Sequence, residues 1–183
     1  GVLSIVDYPG FEHLEAPDME TYSKALNGGQ YPLSVLAVNE RAANVYAKGT
    51  YGNTMTTNPR AMDIATNVLH SLTPEIRANI RGKGQEALDK LNVLKAELGG
   101  LITKVQGTGL LFSCELDPSF KCYGANSTEE YMRERGIGVI HGGINSLRFT
   151  PHFAITSAEL DLIIAHIRVA LLKGPRKSAA EAA

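Results

Sequence analysis

The sequence predicts an α/β protein in which a long helix joins two parts. Short apolar segments alternate with helical segments up to residue 73, and a compact mixture of strands and helices follows residue 100. Between them, residues 74–98 carry apolar side chains at helical spacing, and Gly99-Gly100 end that pattern. The second part is predicted to be a small α+β domain.

The domain limits follow from this pattern. We expect residues 1–73 to form the first domain, residues 74–100 the linking helix, and residues 101–174 the small α+β domain. Residues 175–183 are expected to be a disordered tail. The chain opens on Gly1 and an apolar stretch, without Met or a polar lead. This start indicates a piece of a longer protein.

Short elements fill the first part. Residues 17–25 predict a strand that ends at a glycine pair, residues 33–38 a buried strand, and residues 39–47 a capped helix. After a loop rich in glycine and threonine, Asn58 as N-cap and Pro59 at the first position predict another helix. Its apolar face comprises Met62, Ala65, Val68, Leu69 and Leu72.

The second part repeats strands and helices on a smaller scale. Residues 102–116 predict two strands around a pair of glycines. Two further strands are predicted at 137–142 and 146–151. Capped helices at 127–136 and 156–174 complete the unit.

The composition is that of an ordinary globular protein. Basic residues number 18 and acidic residues 19, and this near balance gives no support for a nucleic-acid partner or an acidic membrane surface. No apolar run is long enough to span a membrane, and the start lacks a signal peptide. Cys114 and Cys122 lack CxxC spacing, so we expect reduced thiols in a cytoplasmic protein. The histidines are scattered without ligand spacing, which predicts no metal site.

Lys24 ends the first predicted strand, just ahead of Asn27-Gly28-Gly29. A lysine on a rigid strand end can lose part of its hydration, which makes the neutral amine available for a Schiff base with an aldehyde cofactor. Taken alone, a lysine in this position is more often a solvated side chain.

Three threonines, Thr54, Thr56 and Thr57, lead into the helix that Asn58 caps. Helix N-termini attract phosphate through N–H groups and the helix dipole, and a threonine hydroxyl adds a donor. The alternative is an ordinary threonine-rich loop.

Arg148 lies on a predicted strand between apolar residues. An arginine in such surroundings needs a carboxylate partner, because leaving its charge unpaired is costly. That partner is either a structural carboxylate or the carboxylate of a substrate.

The order of these three features resembles the class III pyridoxal-phosphate aminotransferases, the group of ornithine, acetylornithine and 4-aminobutyrate aminotransferases. Similar segments extend over about residues 1–172, and they are PDMETYSKALNGGQYPLS, GNTMTTNPRA, VQGTGLLFSCEL and LRFTPHFAITSAELD. The resemblance implies a fold-type I transferase, whose large domain has strand-helix units of a mainly parallel sheet. Residues 1–73 would be the C-terminal part of its large cofactor-binding domain, and the small C-terminal domain would follow the linking helix.

The resemblance also implies roles for single residues. Lys24 would form the Schiff base with pyridoxal 5'-phosphate and carry protons, and Arg148 would bind a substrate carboxylate. Thr54 would bind the cofactor phosphate across the interface of a homodimer with shared active sites, and Thr50 replaces it only if the alignment contains a gap. The implied reaction moves an amino group from an amine or amino acid to a keto acid or aldehyde.

The sequence departs from the family pattern in several places. Thr56-Thr57 replace the family's Gly-Gly and add β-branched bulk to the phosphate loop, and Gln106 replaces an arginine. The aspartate that pairs with the pyridine nitrogen, the glycine-rich phosphate loop and the stacking aromatic ring lie upstream of the matched region. Asp7 and Asp18 lack the sequence context of that aspartate. We therefore expect the chain to be inactive by itself.

Two alternatives stay open. The same fold supports racemases, aminomutases and decarboxylases, because the cofactor defines a range of reactions and its surroundings select among them. The chain is otherwise a cofactor-free remnant that serves as an interaction or dimerisation module. An Asp-Glu-Val segment shortly before the first residue would favour the enzyme.

Overall fold

The structure is a computed structural model that describes residues 3–8, 10–50, 52 and 56–177. The chain divides into two compact units, Gly1–Pro74 and Glu75–Ala183. The sequence predicted four parts instead, and that division stays a prediction. No helix in the described part of the chain is long and apolar enough to cross a bilayer.

An antiparallel strand pair, β1 (Met19–Ser23) and β2 (Ser34–Val38), forms the centre of the first unit. The resemblance implies a mainly parallel sheet, but only residues 24–33 connect the two strands, and a parallel crossover takes about a dozen residues or more. The prediction that residues 33–38 are buried is wrong, because every residue of β2 is exposed. Its apolar side chains have no covering layer among the described residues.

The described residues of the first unit also form two helices, α1 (Glu40–Ala43) and α2 (Pro59–Ser71). Short 3-10 turns lie at Ile5–Asp7 and Lys24–Asn27. The helix α1 is shorter than the predicted 39–47, although Asn39 caps it as expected. The start of α2 at Pro59 confirms the prediction made from its N-cap.

The helix α2 buries a narrower face than the sequence predicts. Ala61 and Ala65 are buried, whereas Met62 and Leu69 are 51% and 43% exposed. Because both buried residues are alanines, this face buries little apolar side-chain area. The turn Lys24–Asn27 packs against the helix. The helix therefore supports the segment that carries Lys24.

The second unit contains the other predicted elements, and their existence and type are confirmed. They are α3 (Pro74–Glu97), β3 (Ile102–Thr108), β4 (Leu111–Leu116), α4 (Thr128–Arg133), β5 (Ile140–Gly142), β6 (Ser146–Phe149) and α5 (Ser157–Lys173). The four strands form an antiparallel sheet in the order β3-β4-β6-β5.

The hydrophobic core belongs to the second unit. Side chains of the sheet pack there against those of α3, α4 and α5, and the rings of Phe112 and Phe149 stack with centroids 5.3 Å apart. Among the described residues, the first unit contributes only Ala61 and Ala65 to the buried hydrophobic side chains. The second unit is thus the better packed of the two.

Candidate active site

Lys24 follows β1 directly and has a left-handed backbone conformation with φ of 56°. For a residue with a side chain this conformation costs about 1–2 kcal/mol. Strain of this kind concentrates at functional sites. The side chain is exposed, and its amine has no hydrogen bond or ion pair with any described residue. The amine is therefore available to an incoming group.

The turn after Lys24 also has left-handed backbone conformations, at Gly28 with φ of 58° and Gly29 with φ of 72°. A Cβ on Gly28 would lie 3.6 Å from Cγ2 of Ile64 and 3.8 Å from Cγ2 of Val68, which are ordinary contact distances. Gly29 faces open space. Glycine is thus favoured at both positions for backbone conformation, and the turn rests against α2.

The threonines before α2 lie only partly within the described chain. Thr54, the predicted phosphate ligand, lies outside the described residues. The hydroxyl of Thr50 donates a hydrogen bond to the carbonyl of Ala47. The hydroxyl of Thr57 donates to the carbonyl of Thr56 at 2.7 Å. The preference for Thr54 over Thr50 stays a prediction.

The N-terminus of α2 is fully capped. Pro59 has no N–H, and the side-chain oxygen of Asn58 accepts from the N–H groups of Arg60 at 3.0 Å and Ala61 at 3.5 Å. The N–H of Met62 donates to the carbonyl of Asn58. The first turn therefore presents its dipole but no free N–H among these groups, contrary to the expectation from the sequence. A phosphate here would depend on hydroxyl groups of the preceding loop.

Arg148 lies on β6, opposite Ser113 of β4 and Ile140 of β5. Its neighbours Leu147 and Phe149 are buried and fix the strand. The guanidinium of Arg148 is exposed and has no hydrogen bond or ion pair with any described residue. Of the two partners that the sequence left open, a structural carboxylate is therefore not found in the described part of the chain.

Arg148 borders a cavity of about 290 Å³. Its aliphatic stem lies over Gly142, where a Cβ would stand 3.5 Å from Cδ of the arginine. Arg133 of α4 lines the same cavity, but its guanidinium is already bound to the carboxylate of Glu129. Arg148 is thus the cation of this cavity that is free to bind a small anion.

Two acidic residues near Lys24 in the sequence have structural partners. Asp18 accepts hydrogen bonds from Nε of Arg41 at 3.0 Å and from the side-chain amide of Asn39 at 2.6 Å. The hydrogen bond from Arg41 lowers the pKa of Asp18. Asp7 accepts from the backbone N–H groups of residues 3 and 4. Both carboxylates thus have partners within the described chain.

The predicted site residues belong to different units. Lys24 lies in the first unit and Arg148 in the second, and each is described within its own unit. Gln106 is exposed on β3 opposite Ser113, and nothing in the structure assigns it a role. In the part of the chain that the structure describes, no group of three or more His, Cys, Asp or Glu residues could hold a metal ion.

Sequence reasoning missed Asn27 as a residue of this site. Its side chain is only 9% exposed, and its Oδ1 accepts a hydrogen bond from the N–H of Gly29 at 2.8 Å. Asparagine just before a glycine pair is typical of a turn in which the side chain binds the backbone two residues on. That local pattern is the signal that could have found it.

The chain is similar to known proteins of one family. The family description "Aminotransferase class-III" matches residues 10–171. Over 145 residues the chain is 32% identical to a succinylornithine transaminase from Citrobacter koseri, covering 79% of this chain and 35% of that protein. An acetylornithine aminotransferase structure from Elizabethkingia anophelis is similar with a TM-score of 0.75 and 27% identity, over 86% of this chain and 41% of that one.

A third relative is the ornithine δ-aminotransferase of Plasmodium falciparum, with a TM-score of 0.74 and 27% identity. That match covers 85% of this chain and 40% of the relative. The chain therefore spans less than half the length of each of these three relatives.

The similarity to these solved structures confirms the fold class predicted from the sequence, a fold-type I pyridoxal-phosphate transferase represented in part. The chain belongs to the class III aminotransferase family, since the family match covers most of its length. Pyridoxal phosphate is the cofactor of that family.

Proposed function

We propose that the whole protein transfers an amino group between an amine or amino acid donor and a keto acid or aldehyde, with Lys24 as the point of covalent cofactor attachment. The observation that carries this proposal is the exposed, unpartnered amine of Lys24 on a left-handed backbone directly after a strand. Because the chain spans less than half of its relatives, the activity is proposed for the whole protein.

The described residues fit one part of a pyridoxal-phosphate site. Lys24 supplies an amine for attachment, and Thr54, which lies outside the described residues, is proposed to donate its hydroxyl to the phosphate. When bound, pyridoxal phosphate withdraws electrons from the reacting carbon of the substrate, so that this carbon can lose a proton. Asp7 and Asp18 already have other partners, which supports an aspartate from elsewhere in the whole protein as the partner of the ring nitrogen.

The second task proposed for Lys24 is proton transfer. Once the substrate amine has displaced it, its neutral amine would take the proton from the substrate carbon and deliver it to the former aldehyde carbon of the cofactor, on the other side of the shared nitrogen. A lysine is neutral near physiological pH only when burial or a neighbouring cation disfavours its charge. Since Lys24 is exposed in the described chain, we propose that other segments of the whole protein bury it.

Arg148 is proposed to bind the carboxylate of the substrate. Its guanidinium is free among the described residues and can form two parallel hydrogen bonds with a carboxylate. The relatives are named for ornithine and two of its derivatives. We therefore propose an amino acid with a free carboxylate as one substrate and a keto acid or aldehyde as the acceptor.

A homodimer with shared active sites and a cytoplasmic location complete the proposal. In this arrangement Thr54 of one protomer would bind the cofactor phosphate of the other.

Cys114 and Cys122 are both free thiols, and burial raises the pKa of each to about 12. Unreactive reduced thiols support a reducing compartment. Light scattering coupled to gel filtration of the whole protein tests the dimer.

The central experiment uses the protein expressed from its complete reading frame and incubated with pyridoxal phosphate. Borohydride reduction followed by peptide mapping is expected to find the cofactor on Lys24. Lys24→Ala should abolish the visible absorbance of bound cofactor, whereas Lys48→Ala should keep it. Lys48 is a suitable control because it is exposed in the same unit. Visible absorbance that survives in Lys24→Ala would show that the role given to Lys24 is wrong.

A cofactor-free interaction module is the second candidate, and exposed apolar side chains of the first unit favour it. Val45, Tyr46 and Leu36 are 82%, 60% and 57% exposed. This candidate expects no cofactor uptake even by the complete protein. A racemase or aminomutase would instead take up the cofactor but transfer no amino group to a keto acid, so product analysis separates the three functions.

A further inference from the structure

Asn27 is a buried polar side chain three residues beyond Lys24. Its Oδ1 accepts from the N–H of Gly29 at 2.8 Å, and its backbone carbonyl accepts from the N–H of Gln30 at 3.1 Å. These two hydrogen bonds close residues 27–30 into a compact turn. A hydrogen bond between a side chain and the backbone two residues on mimics a backbone turn and fixes it locally.

This turn constrains the backbone of Lys24. Lys24–Asn27 form one 3-10 turn with a left-handed residue at each end, Lys24 with φ of 56° and the C-cap Gly28 with φ of 58°. The N–H of Gly28 donates to the carbonyl of Ala25 at 3.2 Å. A strained residue keeps its conformation only where its surroundings over-determine it. Asn27 supplies that constraint at the C-terminal end of the turn.

The same turn is seated on α2. Gly28, the neighbour of Asn27, lies against Ile64 and Val68 of that helix. The helix begins at Pro59, right after the predicted phosphate loop. A change in the turn therefore moves Lys24 relative to the start of α2, the two places proposed to hold opposite ends of the cofactor.

We propose that Asn27 is a positioning residue for Lys24. By accepting the N–H of Gly29, it holds the turn in the form that keeps Lys24 left-handed against α2 and aims its amine at the aldehyde carbon. A misplacement of about 1 Å can lower a reaction rate by about a hundredfold. This inference rests on the proposed function, because it assumes that Lys24 reacts with the cofactor.

The test compares three substitutions in the whole protein loaded with pyridoxal phosphate. Asn27→Leu keeps the size of the side chain but removes the acceptor, and Asn27→Asp keeps the acceptor. Asn39→Ala removes the cap of α1 elsewhere in the same unit. The readout is the rate at which borohydride traps cofactor on Lys24, relative to the exposed Lys48 in the same sample.

We expect Asn27→Leu to lower this ratio by about tenfold, since it leaves a part-buried N–H unpaired and frees the turn. Asn27→Asp should recover most of the ratio, which a purely structural role of side-chain bulk would not produce. Asn39→Ala should leave it unchanged. If Asn27→Leu fails to fold, as judged by circular dichroism, Asn27→Ala removes the same acceptor without added bulk, and the same loss is expected.

Two failures are distinguishable. Equal trapping on Lys24 in the wild type and in the variants that lack the acceptor overturns the role of Asn27 alone. Trapping on Lys24 no faster than on Lys48 in the wild type overturns the proposed function and the role of Asn27 with it.

Discussion

Gly84 of α3 lies directly against Gly109 in the turn between β3 and β4, so that a Cβ on Gly84 would stand 2.3 Å from the carbonyl oxygen of Gly109. No side chain fits at that distance. Gly109 itself has φ of 54°, and a Cβ there would approach Cγ2 of Ile80 to 3.1 Å. The helix α3 therefore contacts the β3–β4 hairpin at two positions where only glycine fits.

Gly84→Ala is expected to destabilise the protein by about 3 kcal/mol, because the hairpin backbone must move to admit the methyl group. Gly82→Ala is the matched control, since nothing lies within 4 Å of its Cβ position on the same helix. That control should gain up to about 1 kcal/mol from the higher helix propensity of alanine. Urea unfolding followed by circular dichroism measures both, and equal effects of the two substitutions would contradict the close approach.

These two glycines show where prediction from the sequence ends. Gly82 and Gly84 look alike in a helical pattern, and only a neighbour from a distant part of the chain distinguishes them. The helices themselves were predictable because their signals are local: Ser127 and Thr156 cap α4 and α5 as expected. Packing between distant segments has no such local signal.

The candidate site likewise has features with a local sequence signal and features without one. Lys24 and Arg148 are candidates because of their order in the sequence and a family resemblance, and their roles stay predictions. The left-handed backbone of Lys24 was not, because lysine has no preference for that conformation. The exposure of β2 was also missed. An apolar run indicates that a strand requires a covering layer, but not which segment provides it.

Glu86 of α3 is held by two lysines and a serine. Its carboxylate accepts from Nζ of Lys83 and of Lys90, each at 2.6 Å, and from the hydroxyl of Ser157 at 3.0 Å. The hydrogen bonds from Lys83 and then Lys90 lower the pKa of Glu86 to about 2. Since Ser157 belongs to α5, this cluster joins the two helices.

The lowered pKa of Glu86 predicts a loss of stability in acid. The group binds its proton more readily when unfolded, near its ordinary pKa of 4.5. Its contribution is therefore fully present above that pH and disappears as the pH falls toward about 2. With solvent screening we expect about 1 kcal/mol. The free energy of unfolding, measured against pH, should fall less steeply in Glu86→Gln than in the wild type.

Glu134→Gln is the control for this pH dependence. Glu134 is 67% exposed and lies 3.6 Å from Arg135, so its neutralisation should leave the pH profile unchanged. A profile of Glu86→Gln that matches that of the wild type would contradict the prediction.

Thr57 has φ of 62°, a conformation that is rare for a β-branched residue. Thr57→Gly, which restores the glycine of the family pattern, should stabilise the protein by about 1 kcal/mol, because the strain exceeds the added entropy of the unfolded chain. Thr50→Gly should be destabilising, since Thr50 lacks a positive φ. Thermal unfolding distinguishes the two, and a lower melting temperature for Thr57→Gly would show that its hydroxyl outweighs the strain.

The two units should differ in hydrogen exchange even where their backbone hydrogen bonds are equivalent. Among the described residues β2 pairs only with β1, whereas β6 pairs with both β4 and β5, so the comparison is made between amides that donate to a neighbouring strand in each case. The side chains of β2 are all exposed, whereas three of the four residues of β6 are buried. Local opening is governed by the apolar contacts that it breaks. The amides of β2 that donate to β1 should therefore exchange at least about a hundredfold faster than the paired amides of β6 in this chain.

Mass spectrometry after deuterium labelling measures this difference, and equal protection of β2 and β6 would contradict it. Repeating the labelling on the protein from the complete reading frame extends the prediction. If other segments cover the first unit, as proposed for Lys24, the protection of β2 should rise while that of β6 stays the same. This result would show that other segments of the whole protein cover β1 and β2, the two strands on either side of Lys24 in the sequence.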